Sequence, residues 1–150
     1  MQDQISVIIP CYNDGKYIQE TIDRLKQQTL AASEIIVVND GSTDEYTLTI
    51  LTAIEKDPLV KVLHKENGKM SAARNYGVKH ATGNIIVTLD ADDYFDKSFF
   101  QKGVDILDKE PTTGVVTSYI QYFGNKTDKS RPRGGNAFNF LFSNQCSACA

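Results

Sequence analysis

Short apolar runs alternate along the chain with stretches whose apolar residues recur at helical spacing. Ile5 to Pro10 reads as a strand in which Val7, Ile8 and Ile9 leave no polar face. Glu34 to Asn39, built on Ile35-Ile36-Val37-Val38, reads as a second, Val60 to Leu63 as a shorter third, and Asn84 to Leu89 as a fourth. Runs that are apolar on both faces suit a parallel sheet covered by helices on each side. Between them, Ile18, Ile22 and Leu25 fall on one helical face. Ser42-Thr43-Asp44-Glu45 has the spacing of a capping box ahead of Leu48, Leu51 and Ile54. Ser71 to Ala81 reads as a third helix, closed by Gly83 as a left-handed cap. Phe100, Val104 and Leu107 mark a fourth, with Asp96 or Ser98 as its cap, and Val115 to Phe123 reads as a further strand. The order predicts an α/β fold: a three-layer α/β/α sandwich around a mostly parallel central sheet.

Length and composition narrow this picture. The 150 residues fit one domain, and 41% hydrophobic with 23% charged residues is ordinary globular usage. A formal net charge of −3 disfavours a nucleic-acid partner, which would be held through its phosphates by a basic surplus. Three cysteines, Cys11, Cys146 and Cys149, do not form a secreted disulfide framework. No basic region followed by an apolar stretch marks a signal peptide at Met1-Gln2-Asp3-Gln4. The expected location is cytoplasmic, extending to the inner face of the membrane.

In parallel sheets ligands bind outside the carboxyl ends of the strands. That rule selects the residues after Pro10, after Asn39 and after Leu89. Thr88-Leu89-Asp90-Ala91-Asp92-Asp93 is the most informative stretch. If extended, its Asp90 and Asp92 project to the same side. Two carboxylates in one crevice repel, and Mg²⁺ or Mn²⁺ removes that penalty while taking its other ligands from phosphate and water. Alone, the short and common Asp-x-Asp pattern is better described as a solvated acidic turn capping the next helix. Asp40 could accept hydrogen bonds from a base or ribose or belong to an Asp-Gly turn, where Gly41 permits positive φ or close approach. Tyr12 could stack on a base or pack as core, and Asn13 and Asp14 could cap a helix or contact ligand. Arg74 could pair with phosphate or hold the aspartates, since its fork fits both.

Taken jointly, Val7-Ile8-Ile9-Pro10-Cys11-Tyr12-Asn13, Val37-Val38-Asn39-Asp40-Gly41-Ser42-Thr43-Asp44, Asn67-Gly68, Ser71-Ala72-Ala73-Arg74-Asn75 and Leu89-Asp90-Ala91-Asp92-Asp93 resemble the family 2 inverting glycosyltransferases of GT-A fold. The match covers roughly the first two-thirds of the chain, in the family's order. The resemblance implies a nucleoside diphosphate sugar donor, UDP-linked by default, and a saccharide or lipid-linked acceptor, as in polysaccharide biosynthesis. It implies that Pro10, Tyr12 and Asp40 hold base and ribose, and that Arg74 lines the nucleotide pocket beside Asn13. Asp90 would lie near ribose or donor sugar with Ala91 next to it. Asp92 would bind Mn²⁺ or Mg²⁺, and Asp93 would support the cluster.

Inverting transfer also needs a base for the acceptor proton. In the family this is a later carboxylate, and nothing between Gly114 and Ala150 resembles it. The expectation is a truncated chain: residues 1–123 as a nucleotide-sugar-binding core, residues 124–150 as a basic loop and an incomplete acceptor-side region, and the base beyond Ala150. The rival readings are a non-catalytic nucleotide-sugar-binding or scaffolding domain and a nucleotidyltransferase, although Pro10 to Lys16 makes a poor phosphate loop. Cys146-Ser147-Ala148-Cys149 lacks a second pair for zinc. His64 and His80 read as ordinary surface or packed residues, and the sequon at Asn125 lacks a secretory signal.

Overall fold

The computed structural model describes residues 4–122 and 128–130. The chain divides into two compact units, Met1–Gln101 and Lys102–Ala150. In the first, strands β1 (Ile5–Cys11), β2 (Glu34–Asp40), β3 (Val60–Lys65) and β4 (Ile85–Thr88) form one parallel sheet in the order β3-β2-β1-β4. The connecting helices are α1 (Gly15–Leu25), α2 (Glu45–Ile54) and α3 (Lys69–His80). The chain moves outward from β1 to β2 to β3, then crosses back to β4 on the other side of β1. With right-handed crossovers, this reversal puts α1 and α2 on one face and α3 on the other.

The packing agrees with that placement. Ile8, Ile36 and Val38 point to one face and enclose Ala73 of α3, all four buried, with Leu63, Tyr76 and Ala81 around them. A Cβ on Gly77 would stand 3.1 Å from Val38 Cγ2, so glycine lets α3 lie directly on the sheet. The alternate residues Val7, Ile9, Ile35 and Val37 are fully buried on the opposite face. There Ile18, Ile22 and Leu25 of α1 and Leu51 and Ile54 of α2 supply the second apolar layer.

Several expectations are corrected. Asp44, not Ser42, caps α2: its carboxylate accepts the N–H of Thr47 at 2.9 Å, and Ser42 lies two residues too early. Helix α3 ends in extended backbone at Ala81, and Gly83 has no positive φ. A Cβ at Gly83 would lie 2.6 Å from Ser6 Oγ, so this glycine serves close approach to β1. The apolar run of β4 is only half covered, with Ile86 40% exposed, because Ile86 lies on the face covered by α3, and α3 packs on β1 and β2. The strand expected over Val115 to Phe123 shrinks to β5 (Ile120–Gln121), since residues 113–119 make no ladder.

Helix α4 (Phe99–Lys109) straddles the division between the units. It follows Asp96, whose Oδ1 accepts the N–H of Ser98 at 3.0 Å. In the second unit, β5 pairs antiparallel with β6 (Lys129–Ser130), and the N–H of Tyr122 donates to Asp128 O at 3.0 Å. No helix among the described residues is long and apolar enough to cross a membrane. Most of the basic stretch and the Cys146/Cys149 pair lie outside the described residues.

Candidate functional site at the carboxyl ends of the strands

The strand order places β1 at the reversal point of the sheet, and the loops leaving β1, β2 and β4 share its carboxyl edge. This is where open α/β sheets form a ligand crevice. Asp40, the last residue of β2, and Asp90, just beyond β4, lie on either side of the end of β1.

At the end of β1, Pro10 is half-buried, and just beyond it Tyr12 is 47% exposed, which removes the core reading for that ring. Cys11 is buried, and burial pushes its thiol up to about 11, so it is not a nucleophile at neutral pH. Asn13 sits at φ 59°. Its N–H donates to Ser42 Oγ at 3.1 Å, and its Oδ1 accepts the N–H groups of Thr43 at 2.9 Å and Asp44 at 3.1 Å. Asn13 is therefore a clasp between the loops after β1 and β2. Gly15 completes the junction: a Cβ there would meet Thr47 Cα at 2.6 Å, and its N–H donates to Thr47 Oγ1 at 2.9 Å.

After β2, buried Asn39 accepts the N–H of Ser42 at 2.9 Å on Oδ1 and donates through Nδ2 to His64 Nδ1 at 3.0 Å. His64, read from sequence as isolated, is the prop of this loop. Asp40 is 3% exposed. Its Oδ1 accepts from Lys65 Nζ at 2.5 Å and from the N–H of Gly68 at 3.0 Å. Burial alone would raise this carboxyl's pKa, but the Lys65 and Gly68 hydrogen bonds and the Lys65 charge outweigh it and hold it below the ordinary carboxylate value. Gly41 has φ +73°, and a Cβ on it would lie 2.8 Å from the N–H nitrogen of Asn67, so both expectations for this glycine hold.

After β4 the backbone does not stay extended. Pairing ends with the N–H of Leu89 on Ile8 O at 3.0 Å, and the chain then turns, the N–H of Asp93 donating to Asp90 O at 3.1 Å. The same-side argument for Asp90 and Asp92 thus fails, because alternation applies only to strands. Ala91 is 3% exposed and its carbonyl accepts Thr21 Oγ1 at 2.6 Å, which anchors the turn on α1. Asp92 is exposed, while Asp90 and Asp93 are half-buried.

The turn and the end of β1 nevertheless share one electrostatic environment. The pKa of Asp14 is raised first by burial and then, against a hydrogen bond from the Tyr12 N–H, by the charges of Asp92 and Asp90. Arg74 reaches in from α3 and donates through an Nη to Asp90 Oδ1 at 2.5 Å. Its Nε is buried with no hydrogen-bond partner. Such an orphaned donor is costly inside a protein, and one beside a carboxylate cluster is poised for an anionic ligand.

No group of three or more His, Cys, Asp or Glu side chains that could enclose a metal occurs among the described residues. The residues present do fit a hard cation that takes one or two protein carboxylates and completes its shell from a diphosphate. Exposed Asp92 could serve as such a ligand, and the mutual repulsion at Asp14 is what a cation would relieve. Sequence reading passed over Lys65, Thr47 and Thr21. Lys65 alone had a signal, as a charged residue ending an apolar strand, but its partner emerges only from the register.

A family model described as glycosyl transferase family 2 matches residues 6–147. Among similar curated proteins, the uncharacterized glycosyltransferase EpsJ of Bacillus subtilis is 42% identical over 98 residues, 65% of this chain and 28% of that protein. The glycosyltransferase GlyG of Streptococcus pneumoniae is 34% identical over 123 residues, 81% of this chain and 41% of its own. The chain thus spans less than half the length of these relatives. Among solved structures, residues 1–349 of S. aureus TarS in complex with UDP align with a TM-score of 0.62 at 34% identity, over 71% of this chain and 32% of that chain. The mannosyltransferase PcManGT from Pyrobaculum calidifontis, in complex with GDP-Man and Mn²⁺, aligns with a TM-score of 0.71 at 28% identity, over 81% of this chain and 36% of the other.

Proposed function

This chain belongs to glycosyl transferase family 2, and from that premise we propose that it supplies the donor-binding part of an enzyme moving a sugar from a nucleoside diphosphate sugar to an acceptor hydroxyl with inversion. Residues 1–123 form its donor-binding core in this reading, and the acceptor is a saccharide or a lipid-linked saccharide. The observation that carries the proposal is the cluster of Asp14, Asp90 and Asp92 at the reversal point of the sheet, with the unpartnered Nε of Arg74 beside it.

Each residue has a physical task. Tyr12 offers an exposed ring face to the base, with Pro10 behind it, and Asp40 offers a charged acceptor to base or ribose. Asn13 holds the β1 and β2 loops at fixed separation. Asp90 is oriented by Arg74 and faces the donor side, while Ala91 and Asp93 hold the shape of the turn. Asp92 is the ligand for Mn²⁺ or Mg²⁺, which when bound supplies Lewis-acid stabilisation of negative charge on the departing diphosphate. Arg74 contributes a second, permanent positive charge to the same side. No described carboxylate is assigned as the base for the acceptor proton.

A uridine donor is supported by the UDP held by one structural neighbour, and the GDP-Man held by the other makes guanosine the competitor to test. The test is calorimetric titration with UDP and GDP, with and without Mn²⁺, on the wild type and Asp92→Ala. The expected result is metal-dependent UDP binding, weaker for GDP and lost in the variant. A folded wild type that binds neither nucleotide under either condition overturns the reading.

A further inference from the structure

We propose that Lys65 is a positioning residue of the donor site: its ammonium orients the carboxylate of Asp40 and keeps it a charged hydrogen-bond acceptor. The inference rests on the donor-binding reading for the use of Asp40, and on geometry for the pairing itself.

Asp40 and Lys65 are register partners on adjacent parallel strands, the last residues of β2 and β3. Their side chains are 4% and 18% exposed, and the Nζ to Oδ1 distance is 2.5 Å. A carboxylate this buried would by itself favour its neutral, proton-bearing form. Lys65 is the charge that faces it from β3. From the start of α3 it accepts the backbone N–H groups of Gly68 and Lys69. His64, the next residue on β3, is turned to Asn39 and Glu55. The ammonium also donates to the carbonyl of Glu66, so the chain leading into α3 is drawn to the same centre. Lys69 follows at φ 67°, a strained value for a side-chain-bearing residue.

This arrangement loads Oδ1 with the Lys65 and Gly68 donors. A fixed, ionised carboxylate accepts hydrogen bonds from a nucleotide's N–H or O–H donors. A protonated one places a donor there and loses that match. Lys65 thereby sets the pH range over which the nucleoside end of the donor is recognised.

The experiment pairs a carboxyl ¹³C NMR titration of Asp40 with UDP titrations at about pH 7.5 and about pH 5.5, in wild type, K65M, K65Q and K65R. The expected result is an Asp40 pKa below the ordinary range in wild type and K65R and raised in K65M and K65Q. A rise of one unit corresponds to about a tenfold population change. UDP affinity in K65M and K65Q, relative to wild type, should therefore fall between the two pH values in proportion to the ionised fraction of Asp40 that the NMR titration reads at each, about twofold where half of Asp40 is protonated, with K65R rescuing it. The ratio to wild type cancels protonation of the diphosphate itself. K65Q, which keeps a hydrogen-bond donor, serves should K65M not fold. An Asp40 titration unchanged in K65M or K65Q overturns the proposal, as does UDP binding that stays unchanged at a pH where the titration shows Asp40 protonated. If wild type binds no UDP, the donor reading fails separately, and the NMR arm still decides whether Lys65 governs Asp40.

Discussion

At the amino ends of the strands, Ser6, Glu34, Thr82 and Gly83 form a closed set. Ser6 Oγ donates to Glu34 Oε1 at 2.6 Å and accepts the N–H of Gly83 at 2.9 Å. The same Glu34 oxygen accepts the N–H and the hydroxyl of Thr82, each at 2.7 Å. The carboxyl ends are different. Every positive-φ residue among those described lies there: Asn13 after β1, Gly41 after β2 and Lys69 after β3. So do the repelling charges around Asp14 and the orphaned Nε of Arg74. One end of the sheet satisfies its polar groups internally. The other holds strain and unmatched charge, the pattern expected where a ligand completes the structure.

The comparison is broken most severely by Glu34→Ala. Removing an acceptor that serves Ser6 and Thr82 should cost about 2–3 kcal/mol, read by urea denaturation. UDP affinity of the folded fraction should not change, because the lesion lies at the amino ends. A loss of affinity matching the loss of stability would show the two ends to be one cooperative unit.

Asn13→Ala should have an intermediate effect, about 1–2 kcal/mol, from positive φ without an amide and from two lost backbone contacts. Here UDP binding should weaken as well, since the clasp sets the separation of the β1 and β2 loops. Asp92→Asn should be smallest for stability, within about 0.5 kcal/mol, because it removes an exposed charge that repels Asp14. Metal-dependent nucleotide binding should nonetheless disappear. Stability and binding effects would then rank in opposite order for Glu34 and Asp92.

Acid sensitivity sharpens the contrast. For Glu34, burial pushes the pKa up, but hydrogen bonds from Ser6, Thr82 and Gly83 bring it below its ordinary 4.5. A lowered native pKa means this stabilisation is present above the unfolded value and is lost as the pH falls through the native one. Asp14 has the opposite sign. Its raised pKa makes the charged form a liability above the native value, relieved as the pH falls toward 3.8. Glu34→Gln should therefore flatten the acid limb of the stability profile, measured by urea denaturation across pH.

The elements were legible because their signals are local. Ile5 to Pro10 and Glu34 to Asn39 lie within a residue of the observed β1 and β2, and Ile18, Ile22 and Leu25 are buried as their spacing predicted. So were the three loops that carry the candidate site, since a polar cluster after a buried strand is a local pattern too. Illegible were the partners. The clasp of Asn13 on Thr43 and Asp44 spans about thirty positions, and Ser42 was misread as a cap because its true partner is the distant Asn13 N–H. The Asp90 to Asp93 segment was misread as extended because the end of a ladder depends on the neighbouring strand.

By itself, then, the sequence determined the order of elements, the parallel sheet and the acidic character of its carboxyl edge, because hydrophobic period and residue type act over a few positions. Only the tertiary structure decided which charges meet. Strand register set Lys65 against Asp40, and the crossover of α3 carried Arg74 to Asp90. Those encounters are fixed by the packing of elements far apart in the chain, and the chemistry of the site depends on them.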